Sequence, residues 1–187
     1  MGILSNNELQ TKASRIRLVA LDMDGTLTDG SINISAEGEL FKRFNAKDGL
    51  GITAARRHGL VIAVITGRKG PIIQKRAEEL GIAEDVMSGI STKRKALYAL
   101  AEKYALPMDA IAFMGDDLND LPALGVAGLS AAPADGAEDI KTRVDYIAPH
   151  NGGDGAVRDL LELILKARGI WPSVIKDYSE EGKEDQQ

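Results

Sequence analysis

A chain of 187 residues without cysteine suits one domain with a sizeable core, and it excludes disulfides, thiolate metal sites and thiol nucleophiles together. Its 23 lysines and arginines against 28 aspartates and glutamates leave a formal net charge of −5, so no basic stripe recommends a nucleic-acid partner, and an anionic substrate has to be drawn in by local cations. Residues 1–15 lack the apolar core of a signal peptide, and the longest uninterrupted apolar run, 60–65, is too short to span a bilayer, which gives the expectation of a soluble, cytoplasmic protein with no membrane partner.

Residues 1–14 are polar, and their composition predicts a flexible end. The apolar run 18–21 reads as a strand buried on both faces and breaks at once into Asp22, Met23, Asp24, Gly25 and Thr26. Ile32 and Ile34 then alternate with Ser31 and Asn33, a turn spans 35–38, and an apolar pattern resumes to Phe44, so a β-hairpin is expected over about 31–44. Asp48 reads as the N-cap of a helix that stops at Gly59. A second buried strand, 60–65, ends in Thr66-Gly67-Arg68. A helix over 71–80 capped by Gly81, a minor strand at 85–87, a helix at about 92–104 and a strand over 111–114 follow. A short helix (118–124), a strand (126–129), a helix (about 137–142), a strand (146–147) and a helix running from Asp154 or Gly155 to Arg168 complete the pattern. Residues 173–187 are charged and expected to be disordered, which leaves a single domain over 15–172. Such alternation predicts an α/β fold: a doubly wound parallel sheet with an inserted hairpin and no cap domain.

In an open α/β sheet, ligands bind beyond the carboxyl ends of the strands, so Asp22/Asp24, Thr66/Gly67 and Asp116/Asp117 should converge. Two carboxylates aimed at one point need a cation, and Mg²⁺ is the hard ion that suits oxygen ligands. One carboxylate can then act as a nucleophile while the other carries a proton. The plain alternative is that Asp22 and Asp24 cap a turn. Lys93, Arg94 and Lys95 are candidate cations for an anion at this site, and Lys47, Arg68 and Arg158 are cations able to meet a substrate carboxylate. The glycine-rich stretch 152–155 offers backbone amides to an anion, whereas His58 and His150 read as surface residues.

Asp22-Met23-Asp24-Gly25-Thr26 resembles the DxDGT signature of the haloacid dehalogenase superfamily. Followed by Thr28-Asp29-Gly30, Phe44-Asn45-Ala46-Lys47-Asp48-Gly49, Ile65-Thr66-Gly67-Arg68, Gly115-Asp116-Asp117-Leu118-Asn119-Asp120 and the run from Gly152 to Arg158, it is similar to the capless 3-deoxy-D-manno-octulosonate 8-phosphate phosphatases of lipopolysaccharide biosynthesis and to relatives acting on nine-carbon keto-acid sugar phosphates. The resemblance, over residues 17–169, implies a Mg²⁺-dependent phosphatase with Asp22 as nucleophile and Asp24 as general acid and base. It implies a metal held by the Asp22 carboxylate, the Asp24 carbonyl and Asp116. Asp22, Met23, Asp24, Thr66, Gly67 and Lys93 would meet the phosphate, with Asp117, Asn119 and Asp120 behind the metal ligands. It also implies a homotetramer joined through the hairpins. Asp154 departs from the basic residue usual in octulosonate phosphatases, which leaves a nine-carbon substrate open. A receiver domain storing phosphate on an aspartate and an inactive scaffold are the rival readings; the first would lack DxDGT, and the second sits poorly with Asp22, Asp24, Lys93 and Asp116 all being present.

Overall fold

The computed structural model describes residues 6–184. Helix α1 (Asn6–Arg15) precedes β1 (Leu18–Leu21); the hairpin strands β2 (Asn33–Ser35) and β3 (Gly38–Phe41) lead to α2 (Ala46–Arg57), β4 (Val61–Thr66), α3 (Pro71–Leu80), β5 (Val86–Ser88) and α4 (Lys93–Lys103). Then come β6 (Ile111–Met114), α5 (Leu121–Leu124), β7 (Leu129–Ala132), α6 (Glu138–Lys141), β8 (Tyr146–Ile147), α7 (Ala156–Ala167) and α8 (Trp171–Glu184).

Alternation along β1 explains why its sequence reads as a continuous apolar run. Val19 and Leu21 enter a core shared with α1, α2, α3 and α7, while Leu18 and Ala20 enter a second core shared with α4, α5 and α6. Both faces of the sheet are therefore covered, as parallel sheets require. The strand order is β5-β4-β1-β6-β7-β8, every pair parallel, and the hairpin forms a separate two-stranded sheet. The chain adds β4 and β5 on one side of β1 and then crosses to β6 on the other, so the switch point lies between β1 and β6.

Several expectations are corrected. Within the polar 1–14 segment, residues 6–14 belong to α1, whose Ala13 is fully buried and whose Lys12 pairs with Asp145 at 2.8 Å; residues 1–5 lie outside the described residues. The charged tail is helical to Glu184, because Val174 is buried and Trp171 lies beneath the cationic heads of Arg158 and Lys166 at 5.3 Å each; 185–187 lie outside the described residues. Strand β7 sits three residues later than its apolar pattern suggests, since Ser130 is accommodated in the sheet interior by donating its hydroxyl to Asp145 at 3.1 Å. Helix α2 is capped by Asn45, whose side chain accepts the amide of Lys47 at 2.8 Å, so Asp48 is not its cap.

Candidate active site

Strand ends gather the site. Asp22 and Asp24 leave β1, Thr66, Gly67 and Arg68 leave β4, and Asp116 leaves β6; together with Gly30, Asp117 and Asn119 they line a cleft of about 270 Å³. The loop closes over it because Gly25 holds φ +89°, and a Cβ there would stand 2.1 Å from Asp116 Oδ2. Only glycine lets the loop after Asp24 pass so close to the acid that follows β6.

Lys93, the first residue of α4, inserts its ammonium between two carboxylates, 2.6 Å from Asp22 Oδ1 and 2.5 Å from Asp120 Oδ1. Asp120 is wholly buried, and its other oxygen accepts the amides of Asp116 at 3.0 Å and Asp117 at 3.4 Å. Asp117 is itself exposed and caps the helical turn that begins at Leu118, in a reciprocal pair with Asp120. The Thr66 hydroxyl accepts the Arg68 amide at 3.2 Å, which leaves its proton free for an acceptor in the cleft.

The electrostatics ask for a cation. Carboxylate oxygens of Asp22, Asp116 and Asp120 lie within 4.8 Å of one another, against the single ammonium of Lys93. Burial, reinforced by the charge of Asp120, pushes the Asp22 carboxyl up to about 6 although Lys93 opposes the shift. Burial and the charges of Asp22 and Asp120 push Asp116 up to about 8. Burial lowers Lys93, but its two acidic neighbours more than offset this and hold it above the ordinary lysine value. An all-oxygen set whose acids resist ionisation fits a hard divalent cation, which would supply the missing positive charge.

Asp24 stands apart from this cluster. Its carboxylate faces the hairpin side, paired with Lys42 through Oδ1 and with Arg68 Nε at 3.4 Å through Oδ2. Lys42, buried and also bound to Glu39 at 2.8 Å, is absent from the sequence reading; its only signal is a lysine embedded in Leu40-Phe41-Lys42-Arg43-Phe44.

Other expected residues do not gather here. Lys47 is exposed and does not line the cleft. Arg158 is engaged elsewhere, bonding Glu162 at 2.8 Å and lying over Trp171. The glycine-rich stretch offers no amide to a ligand: Gly152 donates to Asp135 at 2.9 Å, Gly153 to the Thr26 carbonyl at 3.0 Å, Asp154 to Asn151 at 3.1 Å and Gly155 to Asp48 at 3.2 Å. His58 and His150 pair with Asp177 and Asp159 at 3.0 and 2.8 Å, away from the cleft.

Paired aspartates leaving the central strand, a third acid across the switch point, and a buried lysine and a threonine hydroxyl beside them fit the class of metal-dependent hydrolases of phosphoric esters. Residues 81–160 match the model of the haloacid dehalogenase-like hydrolases. The 3-deoxy-D-manno-octulosonate 8-phosphate phosphatase of Salmonella typhi is 42% identical over 88% of this chain and 87% of its own length, and that of Escherichia coli K12 is 42% identical over 84% of each. Among solved structures, the Moraxella catarrhalis 3-deoxy-D-manno-octulosonate 8-phosphate phosphatase in complex with magnesium ion, phosphate ion and KDO superposes with a TM-score of 0.89 at 40% identity, covering 93% of this chain and 99% of that one. The cobalt-bound Haemophilus influenzae phosphatase gives a TM-score of 0.82 at 37% identity over 84% and 92% of the two chains. The chain belongs to the 3-deoxy-D-manno-octulosonate 8-phosphate phosphatase family of haloacid dehalogenase-like hydrolases, enzymes that hydrolyse phosphoric monoesters.

Proposed function

We propose that this enzyme hydrolyses 3-deoxy-D-manno-octulosonate 8-phosphate with Mg²⁺ as cofactor. The observation that carries the reading is the placement of Asp22 and Asp24 in two different environments at one cleft: Asp22 among acids and Lys93, Asp24 against Lys42 and Arg68. Two carboxylates with separate surroundings suit two separate roles.

Asp22 attacks phosphorus, the bond from phosphorus to the sugar oxygen breaks, and Asp24, which enters this step protonated and leaves it as a carboxylate, gives that oxygen its proton. In the second half Asp24 takes a proton from water as the water attacks the aspartyl phosphate, releasing phosphate and restoring the Asp22 carboxylate. Lys93 and the Thr66 hydroxyl, with the Gly67 and Met23 amides, would hold the phosphoryl oxygens. Asp22, the Asp24 carbonyl and Asp116 would hold Mg²⁺, which when bound supplies the charge that lets a carboxylate meet a phosphate dianion. Asp120 keeps Lys93 and the 116–117 backbone in place.

Arg68 is the cation best placed for the sugar acid, since it alone of Lys47, Arg68 and Arg158 lines the cleft. The hairpin supports a homotetramer: Ile32, Ile34, Leu40 and Phe41 are 51–65% exposed, an apolar surface that a second copy would cover. No helix among the described residues is long and apolar enough to cross a membrane. The test is Mg²⁺-dependent phosphate release from octulosonate 8-phosphate, nine-carbon keto-acid 9-phosphates and hexose phosphates, with Asp22→Asn as control. Preference for the eight-carbon ester supports the proposal, and preference for another ester overturns it. Light scattering on wild type and Ile34→Glu tests the assembly, which predicts a tetramer and a smaller species respectively.

A further inference from the structure

The hairpin inverts the usual rule of burial. Its apolar residues Ile32, Ile34, Leu40 and Phe41 face outward, while Lys42, the residue after β3, has a side chain only 1% exposed. A buried ammonium is costly unless fully paired, and among the described residues the ion-pair partners of Lys42 are the Asp24 carboxylate and Glu39 of the hairpin itself. Nothing in the hairpin's own two short strands requires this arrangement. With Arg68 on the other oxygen, both oxygens of Asp24 face cations, and that carboxylate is directed away from the acids around Lys93.

We propose that Lys42 is a positioning residue for the proton transfer by Asp24, and that Glu39 makes the hairpin part of that device. The inference rests on the role of Asp24 proposed above. Lys42 holds the Asp24 carboxylate where the ester oxygen leaves, and Glu39 holds Lys42. The hairpin thereby does more than present an apolar surface: its fold sets the aim of the group that protonates the leaving alkoxide.

Leaving-group chemistry tests this in the full-length, Mg²⁺-loaded enzyme. A sugar alkoxide needs a proton to depart, whereas p-nitrophenolate leaves as a stable anion, so the ratio of single-turnover rates of leaving-group release, sugar from octulosonate 8-phosphate against nitrophenolate from p-nitrophenyl phosphate, reports proton donation before the hydrolytic step that both esters share. Asp24→Asn sets the full scale, since general acid catalysis is worth about 10²–10⁴-fold. Lys42→Met should lower the ratio at least about tenfold, a substantial part of that scale. Lys42→Arg, which keeps the charge but changes its geometry, should fall between, and Glu39→Gln should shift the ratio in the same direction by less. These two variants carry the test if Lys42→Met does not fold. If Asp24→Asn lowers the ratio while the Lys42 and Glu39 variants slow both esters equally or leave both unchanged, Lys42 has no positioning role and the proposal fails alone. If Asp24→Asn leaves the ratio unchanged, the assigned role of Asp24 fails and the proposal falls with it.

Discussion

Asp48 accepts the backbone amide of Arg158 at 2.8 Å, across 110 residues of sequence, and its second oxygen accepts that of Gly155 at 3.2 Å. A carboxylate that begins one helix is thus the cap of another. It satisfies amides at the start of α7 that have no partner within the helix, and its negative charge complements the helix dipole. Asp48→Ala should therefore cost about 1–3 kcal/mol, the sum of a lost cap and of amides left buried without an acceptor. Asp48→Asn should lose less, because its amide oxygen still accepts one of the two bonds. Urea denaturation monitored by circular dichroism checks both, and equal stability of Asp48→Ala and wild type would remove Asp48 from the account of α7.

The contact between Lys93 and Asp120 separates a residue at the reacting centre from one that supports it. Lys93→Met leaves Asp22 and Asp120 without their shared cation, and should lower kcat about 10²–10³-fold, the usual loss for a charge aimed at the transition state. Asp120→Asn keeps the acceptors for the Asp116 and Asp117 amides but weakens the hold on Lys93. The expected loss is about 10–100-fold, as for other groups that orient a metal or catalytic side chain. Steady-state phosphate release measures both, and an Asp120→Asn enzyme as impaired as Lys93→Met would promote Asp120 to a direct role.

The fold was legible because strands buried on two faces must be apolar throughout, and such runs at 18–21, 60–65 and 111–114 are each followed within two residues by a residue of the cleft. Asp22, Asp24 and Asp116 were legible for the same reason. Local pattern failed where a partner is distant in sequence. Asp48 has the composition of a cap for its own helix, and nothing near it reveals Gly155 and Arg158. Lys42 sits in an apolar stretch that reads as hairpin, and only the packing of Asp24 against it shows why the lysine turns inward. Arg158 reads in the sequence as a cation able to meet a substrate carboxylate, and nothing near it shows that its guanidinium bonds Glu162 and lies over Trp171.

Metal binding should be linked to proton release. Asp22 and Asp116 are raised from 3.8 to about 6 and about 8, so between pH 4 and 8 the metal-free folded protein holds protons that the unfolded chain has lost. With more protons on the folded side, stability falls as pH rises through that window. A divalent cation displaces those protons, and its affinity should climb with pH and level off above about 8. Calorimetric Mg²⁺ titrations at the low and high ends of the window, each in two buffers of different ionisation enthalpy, should show proton release at the low end and little at the high end. Asp116→Asn should flatten both this dependence and the pH dependence of metal-free thermal stability. Removing the ion with a chelator should abolish phosphate release, and added Mg²⁺ should restore it.

Gly152 offers the sharpest contrast between two readings of the glycine-rich stretch. If those glycines served an anion through their amides, a methyl at 152 would raise KM and leave the fold intact. The structure places them instead against the back of the loop that carries Asp24: a Cβ at Gly152 would stand 1.8 Å from the Gly25 carbonyl oxygen and 3.1 Å from that of Thr28. Neither contact is with a flexible side chain, so the loop has to move. Gly152→Ala should cost about 1–3 kcal/mol, as overpacking does, and a displacement of about 1 Å at Asp24 should lower kcat by up to about 10²-fold. Gly59→Ala is the control, because its φ of +82° brings strain but nothing lies within 4 Å of the added methyl. That variant should lose about 1–2 kcal/mol and keep its kcat. Denaturation and steady-state kinetics on the pair decide the matter: a Gly152→Ala enzyme with wild-type stability and kcat but a raised KM would return the stretch to the substrate.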